Sequence, residues 1–186
     1  MTTAVATPTT TTTTWEPDLA HSLVEFSAKH MMISTVRGRF NRFSGVITYN
    51  EANPLLSSAE GSIEAASVDT NMSQRDDHLR SPDFFDVQTH PTITIKTTKV
   101  EPQGSQRYKV TSDLTIRGVT KPVVWDVVDE GRGRDPWGNE KWALSADARV
   151  NRKDWGLNWN VALEAGGWLV GDEIKVHLEI QLARKA

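Results

Sequence analysis

The clearest folding signal lies near the end of the chain, in Ile174-Lys175-Val176-His177-Leu178-Glu179-Ile180-Gln181-Leu182. Apolar side chains occupy every second position of this stretch, and the residues between them are polar or charged. A period of two is that of a β-strand with one face buried and the other in water. The stretch therefore predicts a long strand with one face on an apolar core.

The same alternation recurs along the chain and predicts seven further strands. Each run ends near turn-forming residues such as Gly, Pro, Asn or Asp. The predicted strands are centred on 24–28, 36–49, 63–68, 93–97, 108–116, 123–127, 142–150 and 174–182. In the second strand the apolar phase shifts near Asn41–Arg42, which indicates a β-bulge. Eight strands with short connections predict an all-β, antiparallel barrel, because closure removes the unprotected sheet edges.

One polar segment interrupts the strand pattern between predicted strands three and four. Ser73–Arg80 combines helix-compatible polar residues with Asn71 or Ser73 as N-cap candidates, which predicts a short α-helix. Two large apolar residues, Phe84 and Phe85, follow outside any strand pattern. The helix and these two rings are therefore expected to plug one end of the barrel.

Composition narrows the class of protein. The 186 residues correspond to one domain, and the net charge of −3 argues against a general nucleic-acid binder, which would carry a basic surface. Cysteine is absent, so disulfides, thiolate metal sites and thiol nucleophiles are excluded. No apolar run is long enough to form a transmembrane helix.

The N-terminal segment has a composition of its own. Residues 1–14 are rich in threonine and lack both the basic start and the apolar stretch of a signal peptide. We expect 1–14 to be a disordered leader and 15–186 to form a single domain. On the same grounds, a cytoplasmic location is expected in preference to a periplasmic or secreted one.

Catalytic motifs are scarce. The sequence has no G-x-S-x-G, and its histidines form no H-E-x-x-H pair. Asp76, Asp77 and His78 form the one local group that could supply metal ligands, but a polar helix end explains them more simply. The sequence therefore predicts no catalytic residue and no metal site; a metal-dependent enzyme using these three residues is the alternative.

The predicted inward faces mix large and small side chains. Phe26, Phe40 and Trp125 alternate with small residues such as Gly38 and Ala146. An eight-stranded barrel is wide enough either to hold a small ligand or to be filled by its own side chains. The residues alone leave both interpretations open.

Short blocks of sequence then carry a specific resemblance. In chain order they are His21-Ser22-x-Val24-x-Phe26, Ile33-Ser34-x-Val36-Arg37-Gly38-x-Phe40, Arg75-Asp76-x-His78-Leu79-Arg80-Ser81-x-Asp83-Phe84-Phe85-Asp86, His90-Pro91-x-Ile93, the run from Asp113 to Pro122, Asn151-Arg152-x-Asp154-Trp155-Gly156-Leu157 and Val170-Gly171-Asp172-Glu173. They follow one another in order along nearly all of the segment 15–183, and the set resembles the YceI-like family.

This resemblance implies a lipocalin-like eight-stranded barrel that carries a polyisoprenoid, such as a quinone tail or polyprenyl lipid, in an apolar tunnel. The implied role is non-enzymatic binding, storage or transport, with the lipid as ligand and no other cofactor. The side chains expected to line the tunnel are Phe26, Val36, Phe40, Phe43, Ile63, Val68, Leu79, Phe84, Phe85, Ile93, Ile95, Leu114, Ile116, Trp125, Leu144 and Trp155.

Three polar residues on the predicted helix, Arg75, Asp77 and His78, are candidates for contact with a lipid head group. The competing interpretation is a capping and salt-bridge cluster that holds the helix on the barrel, and it is the simpler one. Another amphiphile, such as a fatty acid or fatty amide, is the alternative ligand. Because family structures are often dimeric, the resemblance also implies a homodimer.

Overall fold

Eleven strands and one α-helix make up most of the computed structural model, which describes residues 11–185. The strands are β1 (Thr12–Pro17), β2 (Leu23–His30), β3 (Ser34–Phe40), β4 (Phe43–Asn50), β5 (Ser58–Glu64), β6 (Val68–Asp69), β7 (Thr92–Pro102), β8 (Arg107–Ile116), β9 (Val119–Arg134), β10 (Glu140–Asn151) and β11 (Val170–Arg184). The helix α1 (Ser73–Arg80) follows β6, and short 3-10 turns span Leu19–His21, Pro54–Leu56, Ala65–Ser67 and Arg152–Trp155.

Eight of these strands close into a barrel. They follow the order β1-β4-β5-β7-β8-β9-β10-β11, and β11 pairs back onto β1, where Trp15 lies opposite Arg184. The recorded pairings around the ring are antiparallel. The predicted closed eight-stranded antiparallel barrel is confirmed, and β2, β3 and β6 extend it at one end.

The barrel wall is less continuous along one line. One edge of β11 pairs first with β2 and then, nearer the C-terminus of β11, with β1. Strand β1 pairs in turn with β4, and β2 pairs with β3. Within residues 11–185, the pairing of β1 with β4 ends at Trp15 and Ile47, and the pairing of β2 with β3 begins at Glu25 and Arg39. The wall between these points therefore has fewer inter-strand hydrogen bonds.

Three expectations about strand boundaries are corrected. The phase shift at Asn41–Arg42 is a break between β3 and β4, which pair with different neighbours, and not a bulge. Thr12–Thr14, expected in the leader, belong to β1, because pairing with β4 supplies partners that a run of identical residues could not reveal. Strand β9 continues to Arg134, well beyond the strand predicted at 123–127. Residues 1–10 of the expected leader lie outside the described residues.

Helix α1 begins and ends where the sequence predicts, but its N-terminus is held differently. Met72 occupies the N-cap position and makes no side-chain cap, so neither Asn71 nor Ser73 acts as expected. Instead, the buried Asp76 carboxylate accepts hydrogen bonds from the backbone N–H of Thr70, at 2.8 Å, and from its hydroxyl, at 2.6 Å. This contact ties the first turn of the helix to the residue that follows β6.

The predicted plug is present at this end of the barrel. Phe84 is buried, and the Phe85 ring lies edge-on to Phe40 at 5.6 Å between centroids. Trp155 is buried in the same apolar cluster. We call this region, formed by α1, Phe84–Phe85 and Arg152–Trp155, the helix end. Within residues 11–185, no helix is long and apolar enough to cross a membrane.

Candidate functional site

A cavity of about 370 Å³ lies inside the barrel. Its walls are almost entirely apolar and come from the inward faces of the ring strands and of β2 and β3. The alternation that predicts each strand also produces this lining, since every second side chain of a barrel strand points inward. The barrel is therefore not filled by its own side chains, and this settles the question that the sequence leaves open.

Most side chains predicted to line a tunnel do line this cavity. They are Phe26, Phe40, Phe43, Phe85, Ile63, Ile93, Ile95, Leu114, Ile116, Trp125, Leu144 and Trp155. The structure places Val36, Val68, Leu79 and Phe84 elsewhere. Val68 and Phe84 are buried in the packed cluster, Leu79 packs against that cluster, and Val36 lies on β3 outside the closed ring.

Several lining residues were not among those predicted. The apolar ones include Val24, Ile47, Val100, Val110, Val127, Trp142, Ala146, Val150, Leu157, Ile174, Val176, Leu178, Ile180 and Leu182. The alternation in β8, β10 and β11 contains the signal for most of them. The polar ones include Tyr49, Tyr108, Ser112, Asp129 and Arg152. The first four lie in phase with the apolar residues of their strands, whereas Arg152 lies in a 3-10 turn and carries no such signal.

The three head-group candidates on α1 do not line the cavity. Arg75 donates to the hydroxyl of Thr70 at 2.8 Å and to its carbonyl at 2.9 Å. The exposed Asp77 pairs with Arg80 at 3.0 Å. His78 lies 2.9 Å from Asp83. These contacts form a polar cluster within the helix and with the residues that flank it. Arg80 ties the helix to β6 and the turn before it, by donating to the carbonyls of Ala66 and Val68.

The alternative of a metal-dependent enzyme finds no geometric support. Asp76 is turned inward to Thr70, whereas Asp77 and His78 contact different partners on the surface. Within residues 11–185, no three carboxylate or imidazole side chains converge as a metal site would require.

Arg152 holds the helix end together from within. Its side chain is only 4% exposed and lines the cavity, yet its guanidinium donates to the carbonyls of Trp159, at 2.9 Å, and Gly171, at 3.0 Å. It also donates to the carbonyl of Leu157 and pairs with Asp172 at 3.2 Å. Burial lowers the pKa of Arg152, and the Asp172 carboxylate opposes that shift. The donors of this buried cation are thus used by the protein itself.

At the opposite end of the cavity, a β-bulge gathers polar groups. Asp129 lies opposite Leu144, Gly131 lies opposite Ala143, and Glu130 is the extra residue. Asp129 lines the cavity in the same phase as Trp125 and Val127. The bulge reverses the alternation beyond Glu130, so Arg132, opposite Trp142, also turns inward. We call this region, formed by Tyr49, Tyr108, Asp129, Arg132 and Trp142, the tyrosine end.

Arg132 is held in an aromatic cage at the tyrosine end. Its guanidinium carbon lies 4.3 Å from the ring centroid of Tyr49, 4.4 Å from that of Trp142 and 5.3 Å from that of Trp15. Glu51 pairs with it at 3.5 Å. Ring faces attract cations, so the cage and the carboxylate together compensate the charge of Arg132.

Other polar groups of the cavity are already satisfied. Trp125 donates from Nε1 to the hydroxyl of Ser112 at 2.7 Å, in the buried middle of the barrel. Trp155 donates from Nε1 to the carbonyl of Leu114 at 3.0 Å. The middle and the helix end therefore present an apolar surface even where the side chains carry N–H groups.

Known proteins share this architecture. A family model described as a YceI-like domain matches residues 15–182. A UPF0312 protein of Vibrio cholerae serotype O1 is 38% identical over 138 residues, which are 74% of this chain and 73% of that protein.

Two solved structures resemble the barrel. Burkholderia cenocepacia BcnA has a TM-score of 0.76 and 25% identity, over 89% of this chain and 98% of BcnA. A polyisoprenoid binding domain from Saccharophagus degradans has a TM-score of 0.67 over 92% of this chain and 98% of that domain; at 15% identity it shows the shared fold alone. With the family model matching nearly all of the described residues, the chain belongs to the YceI-like domain family.

Proposed function

We propose that this protein binds a long polyisoprenoid lipid in the barrel cavity and stores or transports it without chemical change. The observation that carries the proposal is the cavity inside the barrel, whose walls are almost wholly apolar from the helix end to the tyrosine end. Such a cavity suits a long hydrocarbon tail, and few polar groups are needed to orient it.

The energetics favour a long ligand over a short one. Each methylene transferred from water to an apolar site contributes about 0.8 kcal/mol, so the gain grows with tail length. Ordering a flexible tail and losing translational freedom offset part of this gain. A branched isoprenoid has fewer rotatable bonds per carbon than a saturated chain, which reduces the ordering cost.

The shared fold supports the same ligand class. The Saccharophagus degradans domain is a polyisoprenoid binding domain, and it has the same barrel over 98% of its length. We extend its ligand class to this chain because the cavity here has the required apolar lining.

Mass spectrometry of an organic extract tests the proposal. We expect protein purified from its native host to release a prenyl lipid in near-stoichiometric amount. Release of a fatty acid or fatty amide instead would show that the ligand is not a polyisoprenoid, while the role as a lipid carrier would still hold. An extract free of lipid, together with no binding of added polyprenols, would overturn the proposal.

Three related expectations remain predictions. Cell fractionation tests the cytoplasmic location, and light scattering tests the homodimer. Recovery of an added polyprenol unaltered after prolonged incubation with the protein tests the non-enzymatic role.

A further inference from the structure

Both tyrosines of the chain lie at one end of the cavity. The sequence contains only Tyr49 and Tyr108, on β4 and β8, and both line the cavity. Asp129 lines it beside them, at the bulge of β9. The three residues are neighbours. Tyr108 lies opposite Val127, two positions before Asp129 on β9. Trp142 donates to Asp129 at 2.8 Å and its ring lies 5.1 Å from that of Tyr49.

These groups differ from the other polar groups of the cavity in having unused hydrogen-bonding capacity. In the described part of the chain, neither phenol hydroxyl has a hydrogen-bond partner. Asp129 accepts through Oδ1 from Trp142 Nε1, at 2.8 Å, and from the N–H of Gly131, at 3.0 Å. No donor within 11–185 contacts its Oδ2. Two donors and one acceptor are thus left for a ligand.

The charges at this end select the kind of ligand group. The carboxylate of Asp129 disfavours an anionic head group. Arg132, whose guanidinium lies 4.3 Å from the ring of Tyr49, disfavours a cationic one. Because Glu51 and the aromatic cage already hold this guanidinium, it is not free to bind an anion. Burial raises the pKa of Tyr49, more than Arg132 lowers it, so this phenol stays a neutral donor at physiological pH.

We propose that Tyr49, Tyr108 and Asp129 form a head-group site, and that the group bound there is uncharged and both donates and accepts hydrogen bonds, as a hydroxyl does. This inference rests on the proposed function, because the tail must occupy the apolar cavity for the head to reach this end. It moves the head group away from Arg75, Asp77 and His78, at the opposite end of the barrel.

Three probes with one tail test the site. Geranylgeraniol, geranylgeranyl phosphate and the corresponding hydrocarbon are titrated into the purified, delipidated protein, and quenching of tryptophan fluorescence reports binding. We expect the alcohol to bind at least about tenfold more tightly than the hydrocarbon, since each neutral hydrogen bond contributes roughly a fivefold factor. We expect the phosphate to bind more weakly than the alcohol.

Three variants test whether the tyrosine hydroxyls and the Asp129 carboxylate cause the preference for the alcohol. Tyr49→Phe combined with Tyr108→Phe keeps both rings and removes both hydroxyls, so it should reduce alcohol affinity roughly twentyfold and leave hydrocarbon affinity unchanged. Asp129→Asn keeps an oxygen for Trp142 and Gly131 but removes the charge, so it should strengthen binding of the phosphate. The matched control is Asp77→Asn on the exposed face of α1, which should change nothing.

The outcomes separate the site from the function. If all three probes bind equally well to wild type, or if the double phenylalanine variant keeps the alcohol preference, the head-group site is wrong while the carrier role stands. If none of the probes binds, the proposed function itself fails. Loss of alcohol preference in Asp77→Asn would place the head group at the helix end and overturn the inference.

Discussion

The two ends of the barrel use polar side chains in opposite ways. At the helix end, Arg152 is 4% exposed and its donors are taken by backbone carbonyls and Asp172. At the tyrosine end, the phenols of Tyr49 and Tyr108 have no partner within 11–185 and face the cavity. The polar groups of the helix end therefore stabilise the fold, whereas the two phenol hydroxyls of the tyrosine end take no part in holding the described residues together.

The two ends also differ in how much they contribute to the family resemblance. The blocks of sequence on which the resemblance rests include Arg75–Asp86 and Asn151–Leu157, and both build the helix end. None of those blocks contains Tyr49, Tyr108 or Asp129. The polar residues of these motif-rich segments are occupied in holding the plug, so they leave no free group for the head group that we propose.

The largest expected effect is on stability, at the helix end. Arg152→Met removes a buried cation that serves several carbonyls and leaves Asp172 without its buried partner, so it should lower the free energy of unfolding by about 3–5 kcal/mol. Urea denaturation measures the loss. Lys153→Met is the control, because the exposed ammonium pairs with the same Asp172 and should cost at most about 1 kcal/mol. Equal losses of stability in the two variants would contradict this role of Arg152.

The next largest effect is expected on lipid affinity, from a substitution in the part of the cavity between the two ends. Val127 lines the cavity, whereas Val124 on the same strand is 52% exposed. Val127→Phe should fill part of the cavity and weaken polyprenol binding by at least about tenfold, or 1.4 kcal/mol. Val124→Phe adds the same volume outside and should leave binding unchanged. Fluorescence titration compares the two, and an equal response would show that the lipid binds elsewhere.

A smaller stability effect is expected for the arginine at the tyrosine end. Arg132→Met removes contacts to three ring faces from a side chain that is 34% exposed, so it should cost about 1–2 kcal/mol. Urea denaturation beside Arg152→Met gives the comparison directly. A loss as large as that of Arg152→Met would mean that the tyrosine end, too, serves chiefly for stability.

The smallest effect depends on pH. The hydrogen bond from Lys141 lowers the pKa of Asp18, which joins a 3-10 turn to β10 near the tyrosine end. A lowered folded-state pKa stabilises the fold above the unfolded value, and this stabilisation is lost as pH falls through the folded value. Asp18→Asn should therefore cost up to about 1 kcal/mol at pH 7 and nothing at a pH low enough to protonate Asp18 in the folded protein. A constant cost across this range would contradict the ion pair.

The sequence was a good guide wherever the hydrophobic period was unbroken. It predicts the closed antiparallel barrel and α1, and most of its tunnel residues line the cavity, because alternation reports directly which side chains point inward. It predicted no strand at β1, because threonine occupies both faces of its first half, so the period cannot be seen.

The tyrosine end was missed for a different reason. Tyr49, Tyr108 and Asp129 come from three strands that are distant in sequence and meet only when the ring closes. The bulge at Glu130 also reverses which residues of β9 face inward beyond it, so the inward position of Arg132 leaves little trace in the hydrophobic pattern.

The most direct test of the account is a crystal structure of the protein with geranylgeraniol bound. We predict that the tail fills the cavity against Leu114 and Trp125, with its oxygen within hydrogen-bonding distance of Tyr49, Tyr108 or Asp129. A tail outside the barrel, or an oxygen bound beside Phe85 and Trp155 at the helix end, would contradict it.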